Sequence, residues 1–351
     1  MKKLLLTTAA MLTISSAAFA SNTTAINQPG NGNSNTVNQS GGSKGNNKID
    51  QVGNNNTASV TQSDDNTGSA QVNYSVINQT GNLNDATVIQ QAATVPALTY
   101  NDSNIQQTGN GNTANVTHRN QAQNADVTQN SNNNYVAVTQ GSLPDGGEVT
   151  DNNYVGIIQQ GVGGHTAITR QTGDSGYIAN TQTGTENYFD ASQQGSLNVI
   201  NGQQTGDFSA FIVYGQSGSG NNVQFDQRGN ESLFQTYQVN GADNGDIIIK
   251  QIADSSYGFA YQSNGDDNLI DIDQSGSEHT AYSQQYGANG VSTIKQGGSG
   301  NQAFVYQVAN NVNSSVTQSG ASNYADVQQY TAGSAATVTQ ANTGNSVSIV
   351  Q

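Results

Sequence analysis

Three histidines and a run of aspartates are the side chains of this chain that could do conventional chemistry. His118, His165 and His279 are of the type that binds a metal or exchanges protons near neutral pH. Asp243, Asp246, Asp254, Asp266, Asp267, Asp271 and Asp273 offer the hard oxygens that calcium accepts. Neither set has the spacing its chemistry needs. His118 stands where the chain elsewhere repeats a glutamine, and His165 and His279 stand where it repeats an asparagine. The aspartates lack EF-hand spacing and the glycine–aspartate nonapeptide of calcium-binding β-rolls. They read instead as solvated groups that oppose aggregation. Cysteine is absent, so no thiol nucleophile exists and no triad can be drawn. Glycine-rich pieces such as Gly215 to Gly220 are not followed by lysine at phosphate-loop spacing. No enzyme and no cofactor are expected.

The chemistry that does recur is that of the carboxamide. Glutamine returns every eleven residues at Gln285, Gln296, Gln307, Gln318, Gln329, Gln340 and Gln351. The same step joins Gln160, Gln171, Gln182, Gln193 and Gln204, and also Gln107, His118, Gln129 and Gln140. Further copies stand at Gln51, Gln62, Gln79 and Gln90. A short fixed period means one structural unit copied many times. Counting from each glutamine, asparagine or serine tends to follow at plus five, a small or apolar residue at plus seven and an apolar one at plus nine. Gln318, Asn323, Ala325, Val327 and Gln329 show this, as do Gln296, Asn301, Ala303, Val305 and Gln307. The other plus-five asparagines are Asn56, Asn84, Asn112, Asn134, Asn187 and Asn345.

Positions two apart share one face of a strand. Each unit is therefore read as a strand of about seven residues and a turn of the remaining four. Glycine two after the glutamine, as at Gly53, Gly81, Gly109, Gly276 and Gly320, supplies turn angles that other residues resist. Stacked copies align identical side chains at about 4.8 Å. The Gln and Asn amides named above are then expected to form ladders, each donating to one copy and accepting from the other. The fold expected is all-β: a β-solenoid of strand–turn–strand rungs with amyloid-like cross-β stacking, roughly 22 residues per rung and about 15 rungs.

Three intervals between glutamines are long, and insertions are expected near 63–70, 92–102 and 141–150. One-residue slips before Gln51, Gln216 and Gln274, and a two-residue slip before Gln251, call for bulges or longer turns. Residues 1–20 read as a secretory signal: Lys2 and Lys3, an apolar stretch from Leu4 to Ile14, and Ala18-Phe19-Ala20 before Ser21. The repeat region is taken as 21–351, and no stretch is long and apolar enough to span a bilayer. Without the leader, seven basic side chains face 24 acidic ones, a net charge of −17. That excludes a nucleic-acid partner, which demands basic patches. Only 33% of residues are apolar and tryptophan is absent, too little for a two-layer core of this length.

The unit Gln-x-Gly-x-x-Asn-x-Ala-x-Val-x-Gln resembles the curlin repeat of curli fibre subunits. Its clearest copies run from Gln51 to Gln62, Gln79 to Gln90, Gln107 to His118 and Gln318 to Gln329. The partner half-repeat, Ser-x-apolar-x-Gln, is met by Ser292-Thr293-Ile294-Lys295-Gln296 and Ser314-Ser315-Val316-Thr317-Gln318. The resemblance covers nearly the whole chain after the leader. It implies a secreted subunit of extracellular amyloid fibres on a Gram-negative cell, serving biofilm matrix, adhesion and surface colonisation. It also implies, as partners, further copies of the chain, a nucleator subunit, an outer-membrane secretion pore and periplasmic chaperones. The number of rungs exceeds the family's usual one, and the family's separate N-terminal targeting stretch is not evident. The alternative is a monomeric secreted β-solenoid that acts as an adhesin or binding module. Caps would mark that alternative, whereas Val347 and Ile349 keep the pattern up to Gln351. An ice-binding solenoid needs a flat row of outward threonines, and Asn115, Asp126, Asp326 and Tyr306 interrupt any such row.

Overall fold

The computed structural model describes residues 11–16, 23–41, 44–64, 72–92, 101–119, 122–141, 152–239 and 241–351. These form 29 strands and no helix, so none of them supplies a helix able to cross a membrane. The chain divides into two compact units, Met1–Ala167 and Ile168–Gln351. Within each, successive strands alternate between two parallel sheets, and the two inward faces enclose a thin core.

Alternation decides which residues are inside. In Thr113–Arg119 every second side chain is buried, and Ala114, Val116 and His118 face the core. Register follows the repeat. In the first unit Thr57–Asp64 pairs with Asp85–Ala92, placing Gln62 opposite Gln90. In the second, Val291–Ser299 pairs with Asn313–Gln318, placing Gln296 opposite Gln318. A slip of one residue would turn each of these glutamines to solvent, so the apolar pair beside it fixes the register.

The parallel β-solenoid is therefore the fold. The two units together hold about 13 turns, close to the expected number. Rungs are not all of one length: Gln51 to Gln79 spans 28 residues and Gln129 to Gln159 spans 30. Most of each expected insertion, near 63–70, 92–102 and 141–150, lies outside the described residues. Their edges are trimmed, because Ser63 and Asp64 continue the pairing of their strand and Asp102 opens the next. Of the expected leader, Met11–Ser16 lies as a strand along Ser34–Gly41, and the rest is outside the described residues. An open backbone edge accepts any extended segment.

The core differs between units. The first is filled by Ile49, Val60, Ile77, Val88, Ile105 and Val116 with alanines between. The second adds Phe189, Phe211, Phe225 and Phe234, whose rings stack at 3.8–5.7 Å. Two glycines make room for them. Gly202 lies opposite Phe225 and Gly258 opposite Phe234, and a Cβ on either would overlap the facing ring.

Candidate functional site: the stacked amide columns

Inward glutamines such as Gln296 and Gln318 are three-bond hubs. Gln296 Nε2 donates to Gln318 Oε1 at 2.9 Å and to Thr280 O of the facing strand at 3.0 Å. Gln318 Nε2 repeats this toward Gln340 Oε1 at 2.8 Å and Gln302 O at 2.9 Å. Both amide hydrogens and the carbonyl are thus satisfied, one bond joins rungs, and the other joins the two sheets. The same rung-to-rung bond runs from Gln51 to Gln79 and Gln107, and on to Gln129 and Gln159. It joins Gln62 to Gln90, Gln171 to Gln193, Gln182 to Gln204, Gln285 to Gln307 and Gln329 to Gln351. The expected ladder glutamines from Gln51 to Gln340 are buried, Gln140 included, except Gln160, and Gln351 is exposed.

One position moves. Gln159, not Gln160, takes the inward place, because Val155, Ile157 and Gln159 fall on one face and Gln160 falls outside. His165 then follows its glutamine by six residues, with one more residue in the turn.

The plus-five asparagines behave differently from the expected amide-to-amide ladder. Here the side-chain oxygen accepts from the next rung's backbone: Asn84 N donates to Asn56 Oδ1 at 3.0 Å, Asn112 N to Asn84 Oδ1 at 3.1 Å, and Asn134 N to Asn112 Oδ1 at 3.0 Å. The amide nitrogen donates to turn carbonyls, as from Asn84 to Gly109 O and from Asn187 to Thr183 O. A direct amide-to-amide bond joins Asn323 to Asn301, and another joins the exposed Asn345 to Asn323. The reason is reach: asparagine is one methylene shorter and sits at the turn, where backbone groups are nearer than the neighbouring amide.

The histidines take the places of these amides. His279 Nδ1 accepts from Asn301 N at 3.3 Å while Nε2 bonds Ser275 O at 2.9 Å, as an asparagine's oxygen and nitrogen do. His165 Nε2 bonds Gln160 O at 2.8 Å. The neutral ring with hydrogen on Nε2 fits both bonds of His279, and burial lowers its pKa against the opposing Ser275 carbonyl. His118, in a glutamine position, is pushed down to about 3 by burial, with Gln140 opposing. Among the described residues no three His, Asp or Glu side chains converge.

A third column is weakly marked in the sequence. At plus three, an exposed Asn or Asp accepts from the backbone of the preceding rung: Asn54 from Asn31 N, Asn82 from Asn54 N and Asp254 from Asn230 N, at 2.8–3.0 Å; Asp243, five after Gln238 in a longer turn, accepts likewise from Ser219 N at 2.6 Å. Several members of the aspartate cluster thereby act as turn acceptors. Asp273 pairs with Lys250 at 3.4 Å. The plus-four residue is left-handed whatever its type, at Asn55, Glu186 and even Leu83 and Phe208, with φ of 52–59°. No composition signal marks it, because the turn geometry is imposed by the stack.

Buried carboxamides bonded along the stack define a β-solenoid whose rungs are copies of one another. Residues 265–298 match the family model described as the curlin associated repeat. That stretch holds the strands Leu269–Ser277 and Thr280–Gln285 and the column residues Gln274, Gln285 and Gln296. The match supports assigning the chain to the curlin-repeat family, and with the fold it points to a structural protein. No curated protein matches the chain.

Proposed function

We propose that this chain is the structural subunit of an extracellular curli-like fibre that assembles by stacking rung on rung. The observation that carries the reading is the repetition of the glutamine hub. Because Gln296, Gln318 and Gln340 present the same donor and acceptor to the next rung, the surface that continues a solenoid inside one molecule also suits a rung of another. Each added rung satisfies buried amides that water otherwise serves, and brings an apolar pair such as Ala303 and Val305 into a dry core. Biofilm matrix, adhesion and surface colonisation are the roles proposed for the fibre. A nucleator subunit, a secretion pore in the outer membrane and periplasmic chaperones are its proposed partners, and residues 1–20 its proposed export leader. The expected net charge of −17 keeps the chain soluble before assembly.

Purified residues 21–351 should form β-rich fibres without cofactor, with a meridional reflection at about 4.7–4.8 Å. A chain that stays monomeric for days at high concentration, with no such reflection, refutes the proposal and favours a monomeric binding module.

A further inference from the structure

In the second unit, one sheet turns a file of aromatic rings outward. Tyr214 stacks on Tyr237 with centroids 4.7 Å apart and planes 13° apart. Tyr237 lies 6.1 Å from Tyr261, Tyr261 5.3 Å from Tyr286, Tyr286 5.5 Å from Tyr306 and Tyr306 6.0 Å from Tyr330. Six phenols thus stand in line, each in ring contact with the next. The two end rings, Tyr214 and Tyr330, are about half exposed, at 49% and 52%. Composition removes competitors. Cysteine and tryptophan are absent, and the only methionines are Met1 and Met11. Beyond residue 20, phenol is the most easily oxidised side chain in the sequence.

We propose that this tyrosine file is an oxidative cross-linking site, where neighbouring rungs become joined by dityrosine bonds. The co-reactant is a peroxide activated by a peroxidase. Each of two neighbouring tyrosines gives up one electron and its phenol proton, and the two radicals form a Cε–Cε bond. Each coupled ring then releases its Cε proton and regains a phenol hydrogen. In sum, two tyrosines and one hydrogen peroxide give one dityrosine and two waters. Ring contacts throughout the file allow an electron to pass between neighbours, so a hole made at an exposed end can travel inward. The partner ring is already in place, which replaces a diffusional encounter by a side-chain rotation.

The test uses the freshly prepared full chain, dilute and monomeric, treated with peroxidase and hydrogen peroxide, then denatured and digested with trypsin. Cleavage after Arg170, Arg228, Lys250 and Lys295 separates Tyr214, Tyr237, the Tyr261–Tyr286 pair and the Tyr306–Tyr330 pair into four peptides. Peptides joined through Tyr214–Tyr237, Tyr237–Tyr261 and Tyr286–Tyr306, each lacking two hydrogens, are expected. They should exceed links to Tyr135 or Tyr154, outside the file and in a separate peptide, by about tenfold. Tyr286→Phe keeps the ring and removes the phenol. It should abolish the Tyr286–Tyr306 link and leave Tyr237–Tyr261, whose persistence also reports an intact stack. The proposal is overturned if links spread evenly over the tyrosines, if the chain oxidised in urea gives the same pattern, if Tyr286→Phe changes nothing, or if no dityrosine forms.

Discussion

In the first unit, Gln51, Gln79 and Gln107 are joined across steps of 28 residues. In the second, Gln274, Gln296, Gln318 and Gln340 are joined across steps of 22. The bonds are alike, at 2.7–2.9 Å, although the rungs differ in length and the cores differ in size. One unit packs valine, isoleucine and alanine; the other admits phenylalanines by placing Gly202 and Gly258 against them. The comparison separates what stacking needs from what it tolerates. The inward face of each strand must match its neighbours, whereas extra residues in a turn cost little, because loop-closure entropy grows slowly with length.

The largest effect should come from a charge in the core, and it should be equal in both units. Val327→Asp and Val88→Asp each bury a carboxylate at a site 0% exposed, at a cost above about 3 kcal/mol. Urea unfolding or hydrogen exchange would read it. A mild effect in one unit alone would mean that its core is not dry. Next comes the hub. Gln318→Ala removes three hydrogen bonds and leaves Gln296 Nε2, Gln340 Oε1 and Gln302 O short of a partner, an expected loss of about 3 kcal/mol. Gln79→Ala should match it in the first unit, and unequal losses would show that the columns do not contribute alike.

A pH experiment sharpens the contrast between a glutamine and its one histidine replacement. An unfolded His118 takes up a proton below about pH 6.5, whereas the folded one stays neutral until about 3. The stability it contributes is therefore complete above 6.5 and falls as the pH drops toward 3, by up to about 1.4 kcal/mol per unit. His118→Gln should flatten that part of the slope, while the lowered His279 keeps its own. Coincident stability curves for the two proteins would mean that His118 is not held neutral. The smallest change is outward: Thr317→Ser, on the face opposite the column, should stay within about 0.5 kcal/mol.

The period, the inward face and the turn glycines were legible because a stack repeats them literally. A Cβ on Gly81, for example, would overlap the carbonyl of Gly109 in the next rung. The choice between Gln159 and Gln160 was open at the level of a period of eleven, and only strand alternation from Val155 and Ile157 settles it. The slip before Gln216 is absorbed inside a strand, by a bulge between Val213 and Gly215. The direction of the asparagine bonds was hidden, because donor and acceptor roles depend on which backbone group lies nearest. The tyrosine file was hidden for another reason. Tyr237, Tyr261 and Tyr306 precede a column glutamine, whereas Tyr286 and Tyr330 follow one, so outward neighbours in space share no fixed interval along the chain.

Every glutamine bond in these columns runs one way, the nitrogen of the earlier rung donating to the oxygen of the later. The backbone bonds to the plus-five asparagines run the other way, from the later rung's N–H to the earlier rung's Oδ1. A stack of this kind has a heading. Looking along it, one exposed cross-section offers glutamine carbonyls and the backbone N–H groups of plus-five asparagines, and the opposite one offers glutamine N–H groups and the side-chain carbonyls of plus-five asparagines. Two such stacks can be joined head to tail but not head to head, since like groups would then meet. A filament made from them would have two chemically distinct tips that extend at different speeds, and an inhibitor shaped for one tip would leave the other growing.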